Sequence, residues 1–328
     1  MLHHDLIEQF ESTVVPTLQS ELTYTDPKLA SFDEKFMQAS IALDNPEVVF
    51  TSGGKIVERY SELKELALTD DDKKLVEAKK EELSKKPNFY DGDQMLVTGV
   101  VQKEGKLKLE AVRTKYSVLA SLASKIFPEG NKLYTTALYK CGVMSPFITT
   151  DGHTFFAERN ADKLYSVAAG FLEPIVEEKS LKDVVRSTAF SESVDEFLGD
   201  KEGDIRVGIK KEFNITQVSF RKMKNGMGMV EFVAPLQLNC DRAQLEQVIA
   251  TNEAKDAKDH TSNRFWVNFN GSAEEARSTL SGKAGKFLYN PILLGAAAVA
   301  ITDEAKRTSW INDVVKPREI GGFTAHSK

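Results

Sequence analysis

The chain has 328 residues, a formal net charge of −6, and 41% hydrophobic against 28% charged residues. That is enough length for one large or two ordinary domains with real cores, at a composition normal for a globular protein. The acidic balance speaks against a general nucleic-acid coat or an anionic membrane surface as partner, and Cys141 and Cys240, too far apart for a CxxC pair, suggest neither a disulfide framework nor a zinc site.

The opening MLHHDLIEQFESTVV lacks the long apolar core of a signal peptide. LIEQFESTVVPTL reads as an amphipathic helix ended by Pro16, and Glu58 to Leu68 carries Tyr60, Leu63 and Leu66 at near-helical spacing. Thr69 before Asp70, Asp71 and Asp72 is an N-cap with acidic residues in the first turn. A second charged helix is therefore expected to about Lys85, stopped by Pro87. The stripe Tyr60, Leu63, Leu66, Leu75 and Val76 is too small to stand alone. It is expected to pack on the β-rich piece after Asn88, leaving a Lys- and Glu-rich outer face for a partner.

MLVTGVVQKEGKLKLEAVRT has apolar runs on either side of Glu104-Gly105, a hairpin signal, and YSVLASLASKIF follows as a short apolar helix. Strands are expected in LYTTALYKCGVMSPFIT and HTFFAER, with a turn at Thr150-Asp151-Gly152. YSVAAGFLEP then leads into a helix with an acidic end, SLKDVVRSTAFSESVDEFLGD. FNITQVSFRKM and GMVEFVAPLQL flank Asn225-Gly226, which supplies the positive φ of a tight turn. A polar helix from Asp241, the strand RFWVNF and the helix SAEEARSTLSG come next. Pro291 to Ile301 reads as a buried helix, about half the length a membrane span needs. A last helix holds Trp310 and Ile311. No membrane partner is expected, and the two cysteines read as buried thiols of a reducing, cytoplasmic location. The five histidines, His3, His4, His153, His260 and His326, form no pair on a helix face and read as surface groups. Three parts are expected: residues 1–130, 131–303 and a C-terminal helix and tail, 304–328.

The stretch AAGFLEPIVEEKSLKDVVRSTAFSESVDEFLGD, Ala168 to Asp200, carries the only chemical signal with internal order. A strand and turn precede it, a glycine sits in its loop, and an acidic helix follows with Ser180 as N-cap. This order resembles the Nudix family, which hydrolyses nucleoside diphosphates linked to another group. The family's box has a glycine loop, a glutamate ahead of a helix, Arg-Glu within it, a further pair of glutamates and a closing glycine. Its logic is that a pyrophosphate is strongly anionic, so Mg²⁺ held by helix glutamates must bridge it to the protein.

Ala169-Gly170-Phe171-Leu172-Glu173-Pro174 matches the loop entry, and Glu178 and Arg186 stand with seven residues between them, the box's own spacing. Counting on from Arg186, Ser187 falls at the first helix glutamate, Phe190 and Ser191 at the pair, and Ser193 at the closing glycine. A register one residue later puts Thr188, Ser191 and Glu192 at the glutamates. Neutral hydroxyls do not replace carboxylates as Mg²⁺ ligands. Thr188 and Glu192 would share the apolar stripe of Leu181, Val184 and Val185, so the helix is expected to break or turn near Ser191. Glu192, Asp195 and Glu196 lie on one helix face. In the family, a residue from a later region can act as general base, which implicates Asp256, Asp259 and His260.

The resemblance implies a Nudix-like α/β/α sandwich with a mixed sheet, preceded by a helical and β-rich N-terminal part. The leading function is non-catalytic: an eroded box on a retained fold, acting as a binding or scaffold module. A nucleotide-diphosphate pocket would lie between Arg159, Gly170 and Glu192, with Glu173 and Arg186 as further ligand-binding candidates. The rival is a Mg²⁺-dependent hydrolase using Glu177, Glu178 and Glu192, the metal on Glu178 and Glu192. A third reading is a structural subunit of a larger assembly. Magnesium is the cofactor of the rival alone, and no strong nucleic-acid signal is present.

Overall fold

The computed structural model describes residues 32–33, 38–42, 48–87, 89–103, 106–135, 138–160, 165–172, 180–199, 208–210, 214–222, 228–251, 260–281 and 290–314. The helix expected at LIEQFESTVVPTL and the hairpin tip Asn225-Gly226 lie outside them. In chain order, β1 (Phe32–Asp33), β2 (Gln38–Ala42), β3 (Val48–Ser52), β4 (Lys55–Val57) and β5 (Lys64–Glu65) precede the charged helix α1 (Asp70–Ser84). The hairpin β6 (Asp93–Lys103) and β7 (Lys106–Lys115) leads to α2 (Tyr116–Ala123) and the short α3 (Lys132–Thr135). Then come β8 (Tyr139–Ser145), β9 (Phe147–Ile148), β10 (His153–Arg159), β11 (Tyr165–Ser166), β12 (Ala168–Phe171) and α4 (Leu181–Ser193). The rest is β13 (Gln217–Lys222), β14 (Gly228–Val233), β15 (Leu236–Gln237), α5 (Arg242–Thr251), β16 (His260–Asn268), α6 (Ala273–Ser281), α7 (Asn290–Ala300) and α8 (Glu304–Val314).

One large mixed sheet organises the described residues. Its path is β1-β2-β13-β14-β8-β6-β7-β3-β4, with β12 added on β8 and β5 on β7. β14 runs parallel to β8, and β3 and β5 run parallel to β7. β6 joins β8 through Leu96–Lys140 and Val97–Tyr139, so strands from both sides of residue 130 share the sheet. Successive side chains of a strand alternate between faces. Cys141 and Val143 of β8, with Val230 and Phe232 of β14, pack against Val184, Val185 and Ala189 of α4. Met144 and Val233 are out of phase with that set and pack against Ile292, Leu293, Ala296 and Ala297 of α7. The two helices therefore cover opposite faces, which is the α/β/α layering expected from the sequence.

The capping box at the start of α1 is complete: the Asp72 N–H donates to Thr69 Oγ1 at 3.1 Å, and the Thr69 N–H donates to Asp72 Oδ2 at 3.0 Å. Val76 is buried with Leu96, Val118, Leu119 and Leu122, and Leu66 and Leu75 pack on the same cluster. The small stripe thus docks on the β-rich piece, as expected. Glu58 to Leu68 is not the helix its spacing predicts. Tyr60–Glu62 is one 3-10 turn, and Lys64–Glu65 pairs with Val112–Arg113 of β7. Tyr60 and Leu63 are still buried three residues apart, but sheet pairing satisfies the backbone that a short exposed helix would leave to water.

Both cysteines are buried free thiols, and burial pushes the Cys141 thiol up to about 12. Among the described residues no helix is long and apolar enough to cross a membrane.

Candidate functional site

The helix that follows Gly170 starts at Ser180, whose Oγ accepts from the Asp183 N–H at 3.1 Å. It does not break near Ser191. It runs to Ser193 and continues as a π turn, Val194–Leu198, closed by the Gly199 N–H on the Val194 carbonyl at 2.8 Å. The break was expected because Thr188 and Glu192 fall on the apolar stripe. Both are accommodated without one. Buried Thr188 donates its hydroxyl to the Val184 carbonyl at 2.9 Å, so it needs nothing from outside the helix. Glu192 lies directly over Gly170 of β12, where a Cβ would run into its Cδ, Oε1 and Cγ. The missing side chain makes the room that the carboxylate fills.

The π turn re-aims Glu196. A π turn advances the chain by one extra residue, and such turns recur at functional sites. Here it brings Glu196 against β12, where its Oε2 accepts the Ala169 N–H at 3.1 Å. The same oxygen is 3.6 Å from His260 Nε2, with side chains only 14% and 5% exposed. His260 opens β16 and pairs in register with Arg159 at the end of β10. Its carbonyl accepts from Asn160 Nδ2 at 3.3 Å. Its ring lies 4.6 Å from that of Phe197. Burial pushes the Glu196 carboxyl up, and His260, the Ala169 N–H and Arg159 pull it back only in part. His260 is thus a buried partner of the acidic helix end, not the surface group its isolation in the sequence suggested.

Of the residues singled out in the sequence, Gly170 and Glu192 meet, and Arg159 and His260 arrive beside them through Glu196. Arg186 is exposed, six residues before Glu192 and so about 120° round the helix from it. Glu173, Glu177, Glu178, Asp256 and Asp259 lie outside the described residues. Glu196 was visible in the sequence as the residue four after Glu192, but nothing local marks the π turn that swings it onto β12. His260 was named in the sequence only through the family's later-region base, and no local pattern ties it to this helix, because β16 reaches the site by pairing with β10.

The hydroxyls at the box positions are turned to their own helix. Ser187 donates to the Val184 carbonyl at 3.1 Å, Ser191 to Thr188 at 3.1 Å and Ser193 to Ala189 at 2.7 Å. Mg²⁺ needs anionic oxygens to offset its hydration, and these positions offer neutral ones already engaged. Ser187, Thr188, Ser191 and Ser193 therefore offer no anionic oxygen to the metal that the family's chemistry uses, and Glu178 lies outside the described residues.

No family model and no curated protein matches this chain. Solved structures do match. A NUDIX-family hydrolase from Clostridium perfringens is 9% identical, with a TM-score of 0.33 over 50% of this chain and 98% of its own. The E. coli dihydroneopterin triphosphate pyrophosphohydrolase is 13% identical, with a TM-score of 0.31 over 50% of this chain and 99% of its own. The C. elegans Ap4A hydrolase is 12% identical, with a TM-score of 0.27 over 49% of this chain and 97% of its own. Likeness at this level says nothing of chemistry.

Proposed function

We propose that this chain is a Nudix-fold protein that binds a nucleoside-diphosphate derivative without cutting it, as a binding or scaffold module. The observation that carries the reading is the fate of the box positions: Ser187, Thr188, Ser191 and Ser193 all spend their hydroxyls on helix carbonyls. Glu192 is the helix carboxylate that faces Gly170. A carboxylate over the Gly170 backbone is an acceptor suited to ribose hydroxyls. Arg159 supplies the cation that a diphosphate needs. Glu196, held by the Ala169 N–H and His260, pins β12 to the helix end and so fixes the Gly170 backbone at the pocket.

The test is direct. Purified protein is incubated with ADP-ribose, a nucleotide sugar or a dinucleoside polyphosphate in Mg²⁺ or Mn²⁺, and phosphate and monophosphate release are followed. No release is expected. Turnover near the ~10 per second typical of enzymes, lost in Glu192→Gln, would overturn the binding reading in favour of a metal-dependent hydrolase.

A further inference from the structure

β8 changes neighbours half-way along one edge. β14 occupies its other edge from Tyr139 to Met144. On the first edge, Tyr139 and Lys140 pair with β6, whereas Gly142 to Ser145 pair with β12.

Lys140 stands at this fork in an unusual setting. Lysines usually bury the stem and leave the ammonium in water. Lys140 is only 8% exposed, while Phe171 and Tyr116 are each 37% exposed. Its Nζ lies 3.0 Å from the centroid of the Phe171 ring and 5.9 Å from that of Tyr116. The Phe89 ring lies 6.3 Å from that of Tyr116. The rings face solvent and the charge lies among them. A cation against a ring draws on its π density, so the remaining ring surface favours an electron-rich partner.

We propose that Phe171 and Tyr116 form a stacking subsite for the nucleobase of the bound ligand, a proposal that rests on the nucleoside-diphosphate reading of the pocket. Phe171 follows Gly170 in β12, and the two residues point to opposite faces. Among the described residues β12 joins the sheet through β8 alone. A nucleotide lying across its outer edge places the base on Phe171 and the ribose at Gly170 and Glu192.

Calorimetric titrations of the full chain with ADP, adenosine and pyrophosphate separate the two readings. Phe171→Leu and Tyr116→Leu keep apolar bulk and remove a ring, and Tyr116→Phe keeps the ring. The wild type is expected to bind ADP and adenosine. Each ring-removing change should weaken both at least about fivefold, the low end for loss of a base–aromatic stack. Pyrophosphate affinity should not change, and Tyr116→Phe should match the wild type. ADP bound equally well by all variants overturns the stacking subsite and leaves the pocket standing. Ring-dependent adenosine binding, with ADP no tighter than adenosine, upholds the subsite and overturns the diphosphate pocket. Binding of neither ADP nor adenosine overturns both.

Discussion

Replacing Glu196 by Gln probes the contact that fixes the site. The side chain is 14% exposed, and its Oε2 faces both the Ala169 N–H and His260 Nε2. Burial dominates these partners, so the folded carboxyl lies above its ordinary value of 4.5. The native state therefore holds this proton more tightly than the unfolded chain does. Its contribution to stability is full below 4.5 and is lost as pH rises through the folded value; above that, the deficit is constant. One proton can tilt stability by at most about 1.4 kcal/mol per pH unit. Gln keeps the shape and an acceptor for the Ala169 N–H but does not titrate. Urea melts of both proteins from about pH 4 to pH 8 read the contact as a unit, because titratable groups remote from Glu196 and His260 cancel in the difference. The wild type should lose ground to Glu196→Gln as pH rises from 4.5, and the difference should then level off. A flat difference, or one that favours the wild type increasingly with pH, would refute the claim that burial outweighs the pairing with His260.

Three other substitutions test the framework. Val185 is fully buried on the stripe of α4, so Val185→Ala should cost about 1–3 kcal/mol in denaturant melts. Arg186→Ala, on the exposed side of the same helix, should stay within about 0.5 kcal/mol. Similar costs for the two would mean that the buried face of α4 is misassigned. Thr69→Ala removes the N-cap of α1 and should cost about 1 kcal/mol. Burial pushes the Asp72 carboxyl up, but the hydrogen bonds from Thr69 and Asn131 together hold it below 3.8. The stability this provides is present above 3.8 and is lost as pH falls through the folded value, so the cost of Thr69→Ala should shrink at the acid end of a pH series of melts.

Local pattern carried far in this chain. The alternation around Glu104-Gly105, the cap at Thr69 and the apolar spacing of Leu181, Val184 and Val185 each produced the expected element, because each is a short-range compromise between burial and backbone hydrogen bonding. The pairing of Gly170 with an acidic helix was also legible, since a glycine before a carboxylate-bearing helix marks close approach. What failed depended on distant partners. Tyr60 and Leu63 show the same period in a 3-10 turn as in a helix, and only β7 decides between them. The break expected at Ser191 treated Thr188 and Glu192 as misfits on an apolar face. A hydroxyl bonded to its own helix and a carboxylate over a glycine remove the conflict. Glu196 and His260 meet only because a π turn changes the helical phase and β16 crosses to β10, neither of which leaves a periodic trace.

The central claim is that the box helix binds a ligand without holding metals. Paramagnetic Mn²⁺ reads this most directly, because it broadens the amide resonances of residues close to it. In NMR spectra of the labelled full chain without nucleotide, the amides of Gly170, Thr188 and Glu192 should broaden no more than those of exposed residues in α1 as Mn²⁺ is added. Selective broadening of those three amides, abolished by Glu192→Gln, would place a metal on the helix and contradict the account.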